Sequence, residues 1–392
     1  MSLTITDLVI ENKKLQKTPE LDAIVKVMQK HGIKDPYSLL PTSTKHNVSF
    51  TLNNTFSAFA NAIRRTLIDD IPTESMRVEE KDITTDDEFI SGISDVLIKN
   101  IALVPIMQSA DLTNKEIFLY VHNNTTKIID IKARDIQLVE KIAKKKKGGN
   151  EDISDDEIEI TDETPEADTY KTTIKPSSSK YQQNISIDLL IPDSNILLAR
   201  LRPGKYIKIR NITIVQGIAA NDAGKYSLLN NVSYEPLDIT PYDQFTNKGT
   251  RSIEHDCKSF MVGFTTRGNI SPKEVMKKVH KKLTDGLNNI KSKIKIYSEA
   301  NAGIYYNNQE CEVTIKDDVY TFKFVNHYIS ELFMIAMCCY KLDENIAYCN
   351  ATVERYDSLI GILKIKHANV ISILMKSIET CQKKLDILVN AF

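Results

Sequence analysis

The feature that most constrains the fold of this chain is an internal repeat, in which a strand followed by an apolar helix occurs twice. The first copy has a strand over 46–52 and a helix from Phe56 to about Asp69. About 270 residues later, a strand at Tyr320–Phe322 precedes a helix that begins at Ile329. A long amphipathic helix follows each copy, over 272–295 and about 367–389, and the first of these opens with a capping-box sequence.

Two such units are expected to pack against each other, because neither apolar helix is stable while its stripe faces water. We therefore predict an α+β fold in which two halves of one chain pair about a pseudo-two-fold axis. Chance similarity of two amphipathic helices is the alternative explanation of the repeat. The residues predicted at the shared helical core are Phe59, Ile63, Leu67, Ile329, Phe333 and Met337.

A region of short apolar strands separates the two parts of the first half. Within it, ten of the eighteen residues over 151–168 are acidic and none is basic, and a lysine run precedes them. Such a tract cannot offset its ordering entropy by burial, so we predict a disordered loop over 144–182. The predicted organisation is an N-terminal extension with one candidate helix near 20–31, a first half, an inserted β-rich domain and a second half, with boundaries at 1–45, 46–80 together with 255–295, 81–254, and 296–392.

Composition excludes several classes of protein. The 51 basic and 52 acidic residues nearly cancel, so no global positive field is available to hold nucleic acid. The six cysteines form no CxxC pair, which favours reduced, buried thiols over zinc ligands. We find no signal sequence and no apolar run long enough to span a membrane, and we therefore expect an intracellular protein.

The chemistry of nucleotidyl transfer is not visible in the sequence. Such catalysis needs clustered carboxylates that hold metal ions, and the cluster Asp155–Glu157 lies in the acidic tract, where a solvated loop is the simpler interpretation. We predict no catalytic residue, no cofactor and no metal. An unrecognised enzyme is one alternative that the residues leave open, and a nucleic-acid-binding module that would use the lysine-rich face of the helix over 272–295 is another.

The first half resembles a known family at several motifs. Asn61–Leu67, with Ile71–Pro72 and Met76–Glu79 after it, is similar to the Asn-Ala-Leu-Arg-Arg helix and exit of the alpha-like assembly subunits of cellular RNA polymerases. The match covers most of 46–295 and is with the third-largest subunit of eukaryotic RNA polymerase II. Further segments that resemble this subunit are Asp87–Ile90, Ile101–Ile106, Leu201–Gly204, Ala223–Ser227 and Tyr234–Leu237.

The remainder of the chain, 296–392, resembles the partner of that subunit, the eleventh subunit of polymerase II. Asn326–Leu332 stands where that family has Asp-His-Thr-Leu-Gly-Asn-Leu. A covalent fusion of the two resembles the polymerases of large cytoplasmic DNA viruses. The resemblance implies a non-catalytic scaffold for viral transcription, located at viral factories in the host cytoplasm, and it leaves open whether the protein is packaged in the virion.

The implied partners are the two large catalytic subunits and small polymerase subunits, with little direct contact to nucleic acid and none to membrane. An intramolecular pseudo-dimer would replace the family's heterodimer. Arg64 and Arg65 lie on the polar flank of the first repeat helix, and their planar guanidinium groups suit carboxylates or carbonyls of a partner. The resemblance implies that they dock the large subunits. A solvated helix face is the alternative.

The sequence also departs from the family. The third subunit often carries a cysteine-rich zinc loop in its β domain, but residues 81–256 contain no cysteine. The second half has Ser330-Glu331 in place of the family's Gly-Asn pair. It also has Met334-Ile335 where we align Arg64-Arg65 of the first half, so its contacts with large subunits stay open.

Overall fold

The computed structural model contains both helices and strands, which confirms the α+β class. The predicted loop over 144–182 lies outside the described residues except for Gln182, and the candidate helix near 20–31 is described only at four helical residues. The structure describes residues 3–13, 26–27, 29–30, 45–108, 110–141, 182–193, 195–238, 257–300, 304–325, 329–354 and 360–392.

We number the elements of the described residues in chain order. A π-helical turn, Thr66–Asp70, continues the first helix. The strands β1 to β18 are Thr4–Lys13, Lys45–Asn53, Thr73–Arg77, Ile83–Thr85, Lys115–His122, Ile129–Lys132, Ile136–Lys141, Gln182–Ile185, Leu197–Leu201, Tyr206–Ile209, Thr213–Gly217, Leu229–Pro236, Phe260–Thr266, Tyr305–Asn307, Cys311–Lys316, Val319–Phe324, Tyr348–Val353 and Gly361–Lys366. The helices α1 to α7 are Ser57–Arg65, Glu88–Gly92, Ser94–Ala102, Ala223–Tyr226, Pro272–Glu299, Ile329–Leu342 and Val370–Asn390.

Two antiparallel sheets are built from the same succession of elements. One has the strand order β1-β2-β13-β12, and the other has the order β14-β15-β16-β18-β17. The chain runs through β1, β2, α1, β12, β13 and α5 in the first case, and through β15, β16, α6, β17, β18 and α7 in the second. Strand β2 pairs with β1 and β13, and β16 pairs with β15 and β18. Strand β2 therefore corresponds to β16, and β13 corresponds to β18.

The burial pattern defines which residues of the two copies correspond. The fully buried Phe50 and Leu52 of β2 match Phe322 and Phe324 of β16, a separation of 272 residues. At the same separation the buried Ile63 of α1 matches Ile335 of α6. The repeat spacing of about 270 inferred from sequence is therefore wrong by two, because α6 is apolar on most of its circumference and its periodicity defines no single stripe.

The two long helices correspond when they are aligned from their C-terminal ends. Leu283, Leu287, Ile290 and Ile294 of α5 match Leu374, Ile378, Cys381 and Leu385 of α7, and all eight side chains are fully buried. The start of α5 was predicted correctly. The Ser271 hydroxyl accepts a hydrogen bond from Glu274 N at 3.3 Å, and Pro272 occupies the first turn, where its missing N–H leaves no helical bond unmade.

Two separate hydrophobic cores organise the described residues. The first is shared by both repeat sheets and by α1, α5, α6 and α7. The second is built mainly from β5, β7, β9 and β10 together with α3, and it lies in sequence between Ile71 and Leu228 of the first core. Its strands form a five-stranded sheet in the order β4-β10-β5-β7-β8, and the short pairs β3–β11 and β6–β9 complete it.

Strand β1 was not predicted, since residues 1–45 were treated as an extension. β1 pairs antiparallel with β2 from Thr4 opposite Asn53 to Lys13 opposite Lys45, and Leu3 lies buried in the first core. The register shifts between Thr6 and Val9, where Asp7 has φ of 52°. This bulge breaks the apolar alternation that would otherwise reveal a strand.

Candidate docking site

Helix α1 has one side committed to the core and one side facing outward. Its buried residues are Phe59, Ala60, Ala62 and Ile63, at the spacing of one helical face. Asn61, Arg64 and Arg65 are half-buried on the outer side. Helix α1 ends at Arg65, and the π-helical turn that follows it ends before Ile71. The two arginines therefore lie in the last turn of α1.

A groove of about 690 Å³ runs between α1 and α6, with β12 and β17 at its ends, and we call it the docking groove. Its first side is polar and cationic, and its second side is apolar. The positions are equivalent under the 272-residue correspondence, so Phe333 replaces Asn61 and Met337 replaces Arg65. The side chains that give the two sides their character are Asn61, Arg65 and Tyr234 on the first and Phe333, Met337 and Tyr340 on the second.

Arg64 is held by neighbours in its own half. Its Nε donates to Asn61 Oδ1 at 3.0 Å, and its guanidinium carbon lies 5.8 Å from the centre of the Tyr234 ring. Both contacts hold the planar group beside Asn61 and Tyr234, two residues that line the groove. Tyr234 belongs to one of the segments on which the family resemblance rests, and so does Arg64. The structure thus joins two motifs that are far apart in sequence.

Arg65 differs from Arg64 in lying close enough to two buried acids to lower their pKa values. It lines the docking groove and lies within electrostatic range of Asp70 and Glu331. Asp70 is 6% exposed and Glu331 is 3% exposed. Arg65 therefore connects the groove surface with a charged cluster beneath it, which also includes Lys282 of α5.

The acids of this cluster have perturbed protonation. Burial raises the pKa of Glu331 to about 7, and a hydrogen bond from its own backbone N–H, together with Lys282 and Arg65, opposes that rise only in part. Burial also raises the pKa of Asp70, again against Lys282. Within the described residues, Glu331 Oε2 has no hydrogen-bond partner. A carboxyl group that stays partly protonated near neutral pH is consistent with this unpaired position.

The six residues predicted at the shared core occupy different environments. Phe59 and Ile63 are fully buried and Leu67 is 2% exposed, while Ile329 and Met337 are partly buried and pack against the first core. Phe333 was misplaced, since it is 42% exposed and lines the docking groove. The correct equivalents in α6 are Glu331, Ile335 and Cys339. The alignment of Arg64-Arg65 with Met334-Ile335 is corrected in the same way, to Ala336-Met337.

The lysine-rich face of α5 is largely engaged in contacts inside the molecule. Lys278 Nζ donates to Pro72 O at 2.9 Å, Lys291 pairs with Glu379 at 3.0 Å, and Lys293 is buried. Lys282 belongs to the acidic cluster. Only Lys277 and Lys281 of the six lysines on that face are exposed. Two exposed lysines are a small surface for holding a phosphate backbone.

A second pair of resemblance motifs also meets in space. Asp87 is fully buried and accepts hydrogen bonds from Arg202 Nε at 2.8 Å, Arg202 Nη2 at 2.6 Å and Arg202 N at 3.1 Å. Burial opposes ionisation of Asp87, but these bonds and one from Phe89 N outweigh it and lower its pKa. The pair fixes the loop after β9 against α2.

Among the described residues a further cavity, of about 800 Å³, lies beside β5 and β10. Its basic residues include Lys115, whose Nζ donates to Asp111 O at 2.6 Å. No motif found in the sequence falls in it. In the described residues there is no cluster of three or more side chains able to hold a metal ion, and no helix there is long and apolar enough to cross a membrane.

A scan of protein-family models with this chain gave no match, and a search of curated proteins gave none either. Three residues important to the site were not singled out from sequence, namely Glu331, Lys282 as its partner, and Tyr234 beneath Arg64. Glu331 was noted only as a departure from the family motif. A buried acid inside an apolar helix is the signal that would have identified it.

Proposed function

We propose that this chain is a non-catalytic assembly subunit of a multisubunit DNA-dependent RNA polymerase. In this proposal its two halves pair within one polypeptide and replace a heterodimer of alpha-like subunits, and the β-rich region with the second core is a domain inserted into the first half. The expected setting is transcription by a large DNA virus at factories in the host cytoplasm. The predicted domain boundaries belong to this proposal, with β1 added to the first half.

The observation that carries the proposal is the repeated element order. The same succession of strands and helices occurs twice, the two sheets have equivalent strand orders, and both share one hydrophobic core. Helix α1 contacts its counterpart α6, and α5 contacts its counterpart α7. Equivalent elements meet in this way across the two-fold axis of a dimer. This arrangement supports a scaffold function, because its helices and strands pair the two halves and leave helix ends available to a partner protein.

The docking groove supports the assignment of the large catalytic subunits as partners. Arg65 lines it together with the exposed Phe333 and Tyr340, and Arg64 lies over the ring of Tyr234, which also lines it. Arginine and aromatic residues are enriched at protein–protein interfaces and carry a large share of their binding energy. Small polymerase subunits remain further expected partners.

The test is a double substitution, Arg64→Ala/Arg65→Ala, in the tagged chain expressed in cells that contain the polymerase. We expect a folded protein that fails to recover the large subunits, since truncating a hydrogen-bonded arginine at an interface costs about 2–5 kcal/mol. The matched control is Lys277→Ala/Lys281→Ala, which removes two exposed charges from α5. Recovery of the large subunits at wild-type yield by the arginine variant would reject the docking assignment.

A further inference from the structure

Glu331 interrupts the correspondence of buried apolar residues between α1 and α6. Under the 272-residue separation it occupies in α6 the position that Phe59 occupies in α1, and both side chains are buried in the first core. Burial of a carboxyl group is unfavourable unless the surroundings compensate for it. The residues that accommodate the carboxyl group of Glu331 therefore show which half of the chain this side chain is suited to contact.

Gly286 provides the space for Glu331. A Cβ at Gly286 would lie 2.7 Å from Glu331 Oε1 and 3.1 Å from Glu331 Cγ, so any side chain there would collide with the carboxyl group. Gly286 belongs to α5 of the first half, and Glu331 belongs to the second. The residue of α7 that corresponds to Gly286 is Ser377, which carries a Cβ and a hydroxyl group.

The charges around Glu331 also come from the first half alone. Lys282 of α5 and Arg65 of α1 favour its ionised form, and Asp70 is the other acid that faces it. The corresponding residues of the second half are Ile373, Met337 and Leu342, and none of them is charged. A second copy of the second half would therefore offer Glu331 no cationic partner, and the Cβ of Ser377 would occupy the space that Gly286 leaves free.

We propose that Glu331 restricts the second half to pairing with the first half and prevents it from pairing with the second half of another copy. The proposal rests on the paired halves of the proposed function. Two halves built from the same elements can exchange partners between chains, and this exchange gives domain-swapped assemblies. An acid accepted by only one surface opposes that outcome, since a mismatched pairing buries a charge without a partner.

The first experiment replaces two residues of α5, in the full-length chain, by the residues that occupy the corresponding positions of α7. Lys282→Ile/Gly286→Ser is expected to lower the urea midpoint of unfolding by roughly 1 M. Adding Glu331→Leu should restore most of the lost midpoint, because the carboxyl group of Glu331 is then absent and only the buried Asp70 still faces position 282. Lys281→Ile, at an exposed position of the same helix, is the control and should leave the midpoint unchanged. If the double variant is insoluble, Lys282→Ile alone is compared with and without Glu331→Leu.

The second experiment measures partner choice directly. Wild-type chain and the Glu331→Leu variant are refolded from urea at the same high concentration, and the dimer fraction is measured by sedimentation velocity. We expect more dimer from the variant. An equal dimer fraction in the two proteins would overturn the inference. The inference would also fail if the urea midpoint of Lys282→Ile/Gly286→Ser stayed as low after Glu331→Leu was added. Both experiments use the purified chain alone, so their outcome is independent of whether the chain recruits polymerase subunits.

Discussion

Lys293 and Lys384 occupy equivalent positions in the two long helices and make equivalent hydrogen bonds to the opposite half of the first core. Each lies six residues before the end of its helix and is almost completely buried. Lys384 Nζ donates to Asn54 O at 2.8 Å, directly after β2, and Lys293 Nζ donates to Val325 O at 3.4 Å, directly after β16. The two halves are thus connected reciprocally at the turns that lead into α1 and α6.

Replacing either lysine should weaken the contact between the halves. In Lys384→Met the carbonyl group of Asn54 loses its donor while the methylene packing is kept, and we expect a loss of about 1–2 kcal/mol in the free energy of unfolding. Burial lowers the pKa of Lys384, so part of its bonding energy offsets desolvation and the loss stays moderate. Urea denaturation measures it. The neighbouring exposed Lys383→Met is the control, and equal values for the two variants would contradict the reciprocal contact.

Stability should depend on pH through Glu331. Its folded-state pKa is raised to about 7, whereas the unfolded chain has the ordinary value of 4.5. The protonated form is therefore favoured by folding, so the contribution of Glu331 is complete below pH 4.5 and is lost as pH rises through 7. The linked change is at most about 3 kcal/mol.

The measurement compares wild-type chain with Glu331→Gln by urea denaturation at pH 5 and pH 8. The variant should gain stability relative to wild type on going from pH 5 to pH 8, because glutamine does not ionise. Asp70, whose pKa burial also raises, is present in both proteins, so the comparison reports the ionisation of Glu331 together with its repulsion of Asp70. A difference between the two proteins that is the same at both pH values would disprove the assignment.

Much of the fold was accessible from sequence because its signals are local. The capping box at Ser271 and the apolar spacing of Phe59, Ile63 and Leu67 predict α5 and α1 without tertiary information. The sequence could not show which residues of α6 face the core. Apolar residues surround this helix, so only its packing determines which side is buried. For this reason Phe333 was placed in the core and its exposed position was missed.

The candidate site was predicted less completely than the fold. Arg64 and Arg65 were proposed from sequence because a motif marks them, whereas Tyr234 and Lys282 come to the candidate site from distant segments of the chain. Such contacts depend on strand register, as for Tyr234 opposite Val262 in the β12–β13 pair. No local pattern specifies them.

Two matched aspartate substitutions should separate core from surface. Ile63→Asp places a charge at a fully buried position and is expected to cost about 4 kcal/mol or more, which abolishes soluble folding. Phe333→Asp, at a position that is 42% exposed, should leave the free energy of unfolding within about 1 kcal/mol of wild type. Circular dichroism and yield of soluble protein give the comparison. A well-folded Ile63→Asp protein would show that the halves do not share this core.

The Asp87–Arg202 pair should stabilise the region of the second core. Asp87→Ala removes the acceptor of three hydrogen bonds from Arg202 and the cap of α2, and we expect a loss of about 2–3 kcal/mol. Hydrogen exchange should then show loss of protection in α2 and β9 and unchanged protection in α5 and α7. Uniform loss across all four elements would indicate that the two cores do not unfold separately.

Purification of the tagged chain from the cells that express it naturally, with quantification of every protein that accompanies it, tests the assembly role most directly. The account predicts two large subunits in equimolar amounts with this chain, in a complex that synthesises RNA on a DNA template. It also predicts that Arg64→Ala/Arg65→Ala removes both large subunits and the activity together. A chain recovered alone, or a complex that has no DNA-dependent RNA synthesis, would contradict the account.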